Sequence, residues 1–169
     1  ASDKKMRKTF LLITIALGIK SASYGQSFDH QLAIPPIISN DTFNLEIIDT
    51  VHQFNSGVFT QSLGYNGTLL GPTLEMQKWD TIQMNITNYS GDSTSVHWHG
   101  LHVPALIDGG PHTLIYDNAT WSPSFRMLNN ASTCWYHPHM HESTMPQVNK
   151  GLAGMIIVRD SAESQLALP

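Results

Sequence analysis

The sequence has little of several features that would each point to a class of protein. Its single cysteine, Cys134, excludes an internal disulfide. Charged residues make up 13% of the chain, which is about half the usual share. The net charge is −4 and no basic patch is present, which argues against nucleic acid as a partner. We find no internal repeat and no pattern typical of a long amphipathic helix.

The sequence also lacks an apolar run long enough to cross a bilayer, which takes about 20 residues. The run at 10–19 follows the positive charges of Met6-Arg7-Lys8 and precedes small residues at 21–25. That order is typical of a cleaved secretory signal, although a buried N-terminal strand or helix is an alternative. Residues 1–5 precede the first methionine and resemble a scar.

These patterns predict three parts of the chain. Residues 1–25 are expected to be a scar plus a secretory signal peptide, and residues 26–160 one domain with its own core. Residues 161–169 resemble the start of a linker to a missing domain. We therefore expect export to the periplasm or the cell exterior, without a membrane span.

Residues 26–160 read as many short β-strands separated by turns. Ile82, Met84 and Ile86 alternate with polar residues, as in a half-buried strand. Turn signals lie at 64–67, 71–72 and 108–111. The predicted strands are 42–50, 79–88, 94–99, 124–128, 132–137 and 152–159. This pattern predicts an all-β sandwich or barrel.

Two His-x-His pairs carry the strongest chemical signal. Side chains alternate faces along a strand, so His97 and His99 should point the same way, and so should His137 and His139. Two such pairs facing one point would offer four imidazoles, which suit copper, zinc, iron or nickel. A single pair is explained equally well as the polar face of a strand.

Copper fits the two pairs better than zinc, because structural zinc sites close four ligands and often use cysteine. Cys134 lies three residues before His137, an odd spacing that turns it to the other strand face and fits a small buried residue. The same spacing disfavours a blue-copper site made of Cys134, His141 and Met145. A cupin-type metal site would lack its carboxylate, since 100–107 contains none. Roles stay open for His102, His112 and His141.

Taken together, the motifs resemble the first cupredoxin domain of a multicopper oxidase, and in particular the bacterial branch of cuprous oxidases and spore-coat laccases. The similarity runs from about residue 66 to the end of the chain. It rests on Gly71-Pro72-Thr73-Leu74, Ser95-Val96-His97-Trp98-His99-Gly100-Leu101, Asp108-Gly109-Gly110-Pro111, Cys134-Trp135-Tyr136-His137-Pro138-His139 and Gly151-Leu152-Ala153-Gly154-Met155-Ile156. The resemblance implies a cupredoxin-like Greek-key β-sandwich or barrel.

The resemblance also implies roles for single residues. His97 would bind the type 2 copper of a trinuclear cluster, His99 and His137 one type 3 copper, and His139 the other. Asp108 matches a carboxylate that assists proton delivery near the type 2 copper, and its place before two glycines also suits a turn. In this family the cluster reduces O₂ to water while a phenol or cuprous ion is oxidised.

The rest of that machinery is absent from this sequence. The family's remaining cluster histidines and its blue-copper His-Cys-His segment belong to a later domain. We therefore expect a fragment or isolated domain that binds copper through a partial site and has no oxidase activity alone. Its expected partners are the parent's remaining cupredoxin domains, O₂ and a small reducing substrate. The alternatives are a stand-alone exported copper-binding or resistance protein and a cupredoxin-like sandwich without metal.

Overall fold

A computed structural model describes residues 32–166 and shows two β-sheets packed around one apolar core. The compact unit begins at Ile34. The predicted signal segment, 1–25, and residues 167–169 of the predicted linker lie outside the described residues. Within 32–166, none of the helices has the length and apolarity that a bilayer crossing requires.

The described chain is built mainly from short strands. These are β1 (Ile37–Ser39), β2 (Thr42–Asn55), β3 (Val58–Tyr65), β4 (Thr73–Gln77), β5 (Thr81–Tyr89), β6 (His97–His99), β7 (Thr120–Trp121), β8 (Ser124–Arg126), β9 (Ser132–His137) and β10 (Gly154–Arg159). A helix, α1 (Thr144–Lys150), separates β9 from β10, and short 3-10 segments cover Ala105–Ile107 and Glu163–Gln165. The prediction of an all-β sandwich is confirmed.

The strand order places β6 and β9 side by side at one edge. The first sheet has the order β1-β4-β10-β9-β6, and the second has the order β3-β2-β5-β7 with β8 also paired to β5. Strands β1, β4 and β10 run parallel, as do β2 and β5, whereas β9 is antiparallel to both β10 and β6. Because β6 is an edge strand, one of its sides is open to other groups.

Alternation of apolar and polar residues builds the core between the sheets. The second sheet contributes six side chains that are at most 1% exposed: Phe43, Leu45, Ile47, Ile82, Met84 and Ile86. The first sheet contributes Leu74, Trp98, Tyr136 and Ile156, each fully buried. Trp98 lies between His97 and His99 on β6. Because it points into the core, both histidines must point to the opposite face.

Several boundaries differ from the sequence prediction. The strand predicted at 94–99 shrinks to β6, because Thr94 pairs with Ile115 in an isolated bridge while the chain crosses towards β9. The turn predicted at 64–67 starts at Asn66, since Gly64 and Tyr65 complete β3. Strand β2 runs on to Asn55, beyond the predicted residue 50. Neither β3 nor the seven-residue helix α1 was predicted.

Candidate metal centre

The register between β6 and β9 brings the two His-x-His segments together. His97 lies opposite His137, and His99 lies opposite Trp135. Side chains directly across a strand pair stand about 4.5–5.5 Å apart at Cβ. The rings of His97 and His137 accordingly have centroids 5.5 Å apart. The prediction that these histidines share one face of the sheet is therefore met by the strand pairing itself.

Three of the four predicted ligands form a tight cluster. Single nitrogen atoms of His97, His99 and His137 all lie within 4.8 Å of one another. His99 Nδ1 and His137 Nε2 are 3.1 Å apart. Two nitrogens bound to one ion at about 2.0–2.1 Å stand about 3–3.5 Å apart, so this pair fits a shared metal ion. Imidazole nitrogen is a suitable donor for copper.

The fourth predicted ligand, His139, lies beside this cluster, just after the end of β9. Its ring centroid is 5.1 Å from that of His97 and 6.0 Å from that of His137. Its backbone N–H donates to the buried Ser95 hydroxyl at 2.8 Å. The structure therefore gathers all four histidines at one sheet edge, as three close donors and a neighbour.

Hydrogen bonds to carbonyl groups set the tautomers of two of these rings. His97 Nδ1 is 2.8 Å from the Asp108 carbonyl oxygen, and His137 Nδ1 is 2.7 Å from the Pro138 carbonyl oxygen. A carbonyl oxygen can only accept, so each Nδ1 must carry the proton and donate it. The lone pair then lies on Nε2 of both rings, where it is free to bind a metal.

Asp108 contacts His97 twice. Besides its carbonyl, its carboxylate oxygen Oδ2 lies 3.3 Å from His97 Nδ1. The loop that carries Asp108 is fixed to β6, because the Trp98 indole N–H donates to the Ile107 carbonyl at 3.0 Å. Both the turn role and the position beside a predicted ligand are thus compatible with the geometry.

Gly109 allows this loop to approach so closely. It has a φ of +72°, and a Cβ at this position would lie 1.7 Å from the Val96 carbonyl oxygen. Only glycine combines the positive φ with this contact. The sequence showed a Gly-Gly turn here but gave no sign that its backbone packs against the strand that carries His97.

Burial favours the neutral form of His137. Its side chain is 6% exposed. Desolvation lowers the pKa of His137, and the neighbouring His97, His99 and His139 lower it further, while the bond to the Pro138 carbonyl opposes the shift. A neutral imidazole keeps the lone pair that a metal requires. This ring is therefore set up as a ligand and not as a cation.

Three further histidines and the cysteine lie outside the cluster. His102, His112 and His141 are exposed, and His141 Nδ1 lies 3.9 Å from a carboxylate oxygen of Glu142. Cys134 is half-buried and alternates on β9 with His137, so it lies on the other face. The Cys134 thiolate therefore cannot join the four histidines in one copper site.

The side chains of the centre are largely open to solvent. His99 and His139 are exposed, His97 is half-buried, and of the four only His137 is buried. An open groove of about 810 Å³ lies elsewhere, along Trp79, Asn130 and Asp160, and none of the four histidines lines it. The donor chemistry of the four side chains therefore locates the centre. An open face suits ligands that form one side of a larger site.

Comparison with known proteins identifies the family of this chain. The family model described as multicopper oxidase matches residues 46–163. The chain belongs to the multicopper oxidase family. This confirms the resemblance found in the sequence, and with it a copper-binding cupredoxin domain of a laccase-like oxidase.

Individual relatives cover different shares of the chain. The multicopper oxidase mco of Staphylococcus aureus is 38% identical over 112 residues, which are 66% of this chain and 25% of that protein. The cell division protein FtsP of Escherichia coli is 32% identical over 158 residues, 91% of this chain and 33% of that protein.

A solved structure supports the fold. The laccase-like multicopper oxidase CueO from Ochrobactrum sp. superposes with a TM-score of 0.79 at 34% identity, over 82% of this chain and 32% of that one. The predicted cupredoxin-like sandwich is thereby confirmed. The chain spans only a quarter to a third of the length of these relatives.

Proposed function

We propose that His97, His99, His137 and His139 bind copper as one side of a trinuclear cluster. The 3.1 Å approach of His99 Nδ1 to His137 Nε2 carries this proposal, because it brings two donor nitrogens to the separation that one bound ion requires. His99 and His137 then share a type 3 copper. His97 is then assigned to the type 2 copper and His139 to the second type 3 copper, as the resemblance to the family implies.

Copper held there supplies the one-electron chemistry by which a multicopper oxidase couples substrate oxidation to the reduction of O₂ to water. The contribution of this chain is to hold its imidazoles in fixed tautomers and to move protons. Asp108 suits the second task, because its carboxylate is 35% exposed and stands 3.3 Å from His97 Nδ1. It connects solvent with the edge of the site and can pass protons inwards.

The parent oxidase is proposed to oxidise a phenol or cuprous ion, with O₂ as the second substrate. The Ochrobactrum relative is described as having oxidase activity towards lignin model compounds, which supports the phenol. The partners of this chain are the remaining cupredoxin domains of its parent, since it covers so little of its relatives' length. Export to the periplasm or cell exterior, through the secretory signal of 1–25, completes the proposal.

Family membership alone does not establish oxidase activity, because a relative that matches 91% of the chain carries the name of a cell division protein. The histidines must therefore be tested directly. Copper content of the purified chain is compared with that of a His97→Ala, His139→Ala double variant, and we expect the variant to lose most bound copper.

A matched His102→Ala, His112→Ala variant removes two exposed histidines that lie outside the cluster and should keep its copper. Far-ultraviolet circular dichroism checks that all three proteins fold. Equal copper content in the first double variant and the unaltered chain would remove the site assignment.

A further inference from the structure

Trp135 forms a ring stack with two of the proposed ligands. Its ring centroid is 3.9 Å from that of His137 at an interplanar angle of 28°. It is 5.2 Å from the ring of His99 at 32°. The register explains both contacts, because Trp135 lies opposite His99 and two residues before His137 on the same face.

His99 has few other restraints on its ring. It is exposed on the edge strand β6, and its ring nitrogen contacts the ring of His137. An exposed side chain of this kind populates several rotamers, and fixing one of them costs conformational entropy. His137, in contrast, is held by burial and by the Pro138 carbonyl. The indole of Trp135 stacks on both rings and adds to the one contact that His99 makes with His137.

The exposure of Trp135 argues that its packing role is local. The side chain is 39% exposed, so it lies outside the core that Trp98 and Tyr136 fill from the other face of the sheet. On its far side it pairs across the strands with Met155, which is 47% exposed. The aromatic rings that lie against this indole are the two imidazoles.

We propose that Trp135 is a positioning residue, whose indole holds His99 and His137 so that their nitrogens face a single copper ion. It acts through the two rings and does not itself contact the metal. The inference rests on the proposed function, because it presumes that these histidines bind copper. Outer groups that orient metal ligands typically change affinity by about 10- to 100-fold when removed.

The test measures cupric affinity of the chain by competition with a chelator of known strength. Trp135→Ala should weaken binding by about 10-fold or more. Trp135→Phe keeps a flat aromatic face and should restore most of the affinity. Met155→Ala, the matched control, removes the other cross-strand neighbour of Trp135 without touching a histidine and should bind as the unaltered chain does.

Electron paramagnetic resonance of the bound cupric ion adds a readout that general destabilisation would not move. Trp135→Ala should show altered g and hyperfine values, and Trp135→Phe the original ones. Should the alanine variant fail to fold by circular dichroism, Trp135→Leu takes its place.

The experiment distinguishes failure of the positioning role of Trp135 from failure of the proposed copper site. If Trp135→Ala binds copper with unchanged affinity and spectrum while His137→Ala does not bind it, the positioning role is overturned and the copper site stands. If the unaltered chain binds copper no better than His137→Ala, the proposed function itself fails and the inference with it.

Discussion

At the scale of single residues, the backbone near the histidines matters as much as the histidines do. Asp108 holds His97 through its carbonyl as well as its carboxylate, and Gly109 lets that loop lie against the strand. Only glycine can adopt the positive φ of position 109 and also leave room for the Val96 carbonyl oxygen. The first prediction follows from this contact.

Gly109→Ala should push the loop away from Val96 and lengthen the hydrogen bond from His97 Nδ1 to the Asp108 carbonyl. Because that bond fixes the tautomer of His97, we expect copper affinity to fall about 10-fold, as measured by competition titration. Gly110→Ala is the control, since a Cβ there meets no atom within 4 Å. Equal affinity in the two variants would mean that the loop does not orient His97.

Two buried tyrosines give a second prediction with opposite signs. The Tyr65 hydroxyl is buried without a hydrogen-bond partner among the described residues, whereas the Tyr136 hydroxyl donates to the Pro72 carbonyl at 2.8 Å. An unpaired buried hydroxyl costs free energy, and a paired one stabilises. Tyr65→Phe should therefore raise the free energy of unfolding by about 1 kcal/mol, and Tyr136→Phe should lower it by about 1 kcal/mol.

Urea denaturation of both variants checks this contrast. The two rings pack edge to face with centroids 5.0 Å apart, so the substitutions sample the same part of the core and control for each other. Destabilisation by Tyr65→Phe as large as that by Tyr136→Phe would show that the Tyr65 hydroxyl has a partner after all.

At the scale of strands, the sequence predicted best where one face is buried and the other solvated. The buried alternation of β5 was visible in Ile82, Met84 and Ile86, whereas β9 was predicted at its observed bounds, 132–137, although its burial does not alternate. Strand β3 was missed because 58–61 are exposed on both faces and 62–65 are buried on both. A strand without one buried and one solvated face has no physical cause for a period-two signal.

The candidate site also has features that the sequence predicted and features that it did not. Side-chain parity placed His97, His99 and His137 on one face from the sequence alone, whereas His139 follows the end of β9 and reaches the same edge without strand alternation. The carbonyl contacts of Asp108 and Pro138 were not predictable, because main-chain groups leave no residue signature. The hydrogen bond from the backbone N–H of His139 to the Ser95 hydroxyl was not predictable either, because the two residues are 44 positions apart in the chain.

A charged cluster ties the parallel strands of the first sheet and predicts a pH dependence. The Ser39 hydroxyl and the Arg159 guanidinium donate to the Glu75 carboxylate at 2.5 and 2.9 Å. The hydrogen bond from Ser39, and then that from Arg159, lowers the pKa of Glu75. A carboxyl whose pKa is lowered on folding stabilises the protein above its unfolded pKa, about 4.3, and loses that contribution as pH falls further.

Glu75→Gln should therefore flatten the loss of stability below about pH 4.3, measured as the urea midpoint against pH. Glu46→Gln serves as the control, because Glu46 is an exposed residue of β2 outside this cluster. A pH profile of Glu75→Gln that matches the unaltered chain in this acid range would show that the cluster contributes nothing to folding.

At the scale of the whole molecule, the proposed function makes this chain one side of a redox centre. A blue-copper site needs a thiolate with two imidazoles, and here the single cysteine, Cys134, lies on the sheet face opposite to His137. The four histidines point outwards from an edge strand and its neighbour. Ligands from another domain can therefore complete the cluster from the open side.

This division of labour predicts that the isolated chain binds copper but does not reduce O₂. Four-electron reduction requires an entry point for electrons and a complete cluster, and residues 32–166 supply neither a thiolate on the face of the histidines nor a second set of ligands opposite them. Oxygen uptake by the copper-loaded chain, with a phenol or cuprous ion as reductant, should equal that of the His97→Ala, His139→Ala variant at the same total copper. Faster uptake that disappears in this variant would show that four histidines on one domain suffice, and would contradict the assignment of this chain as a partial site.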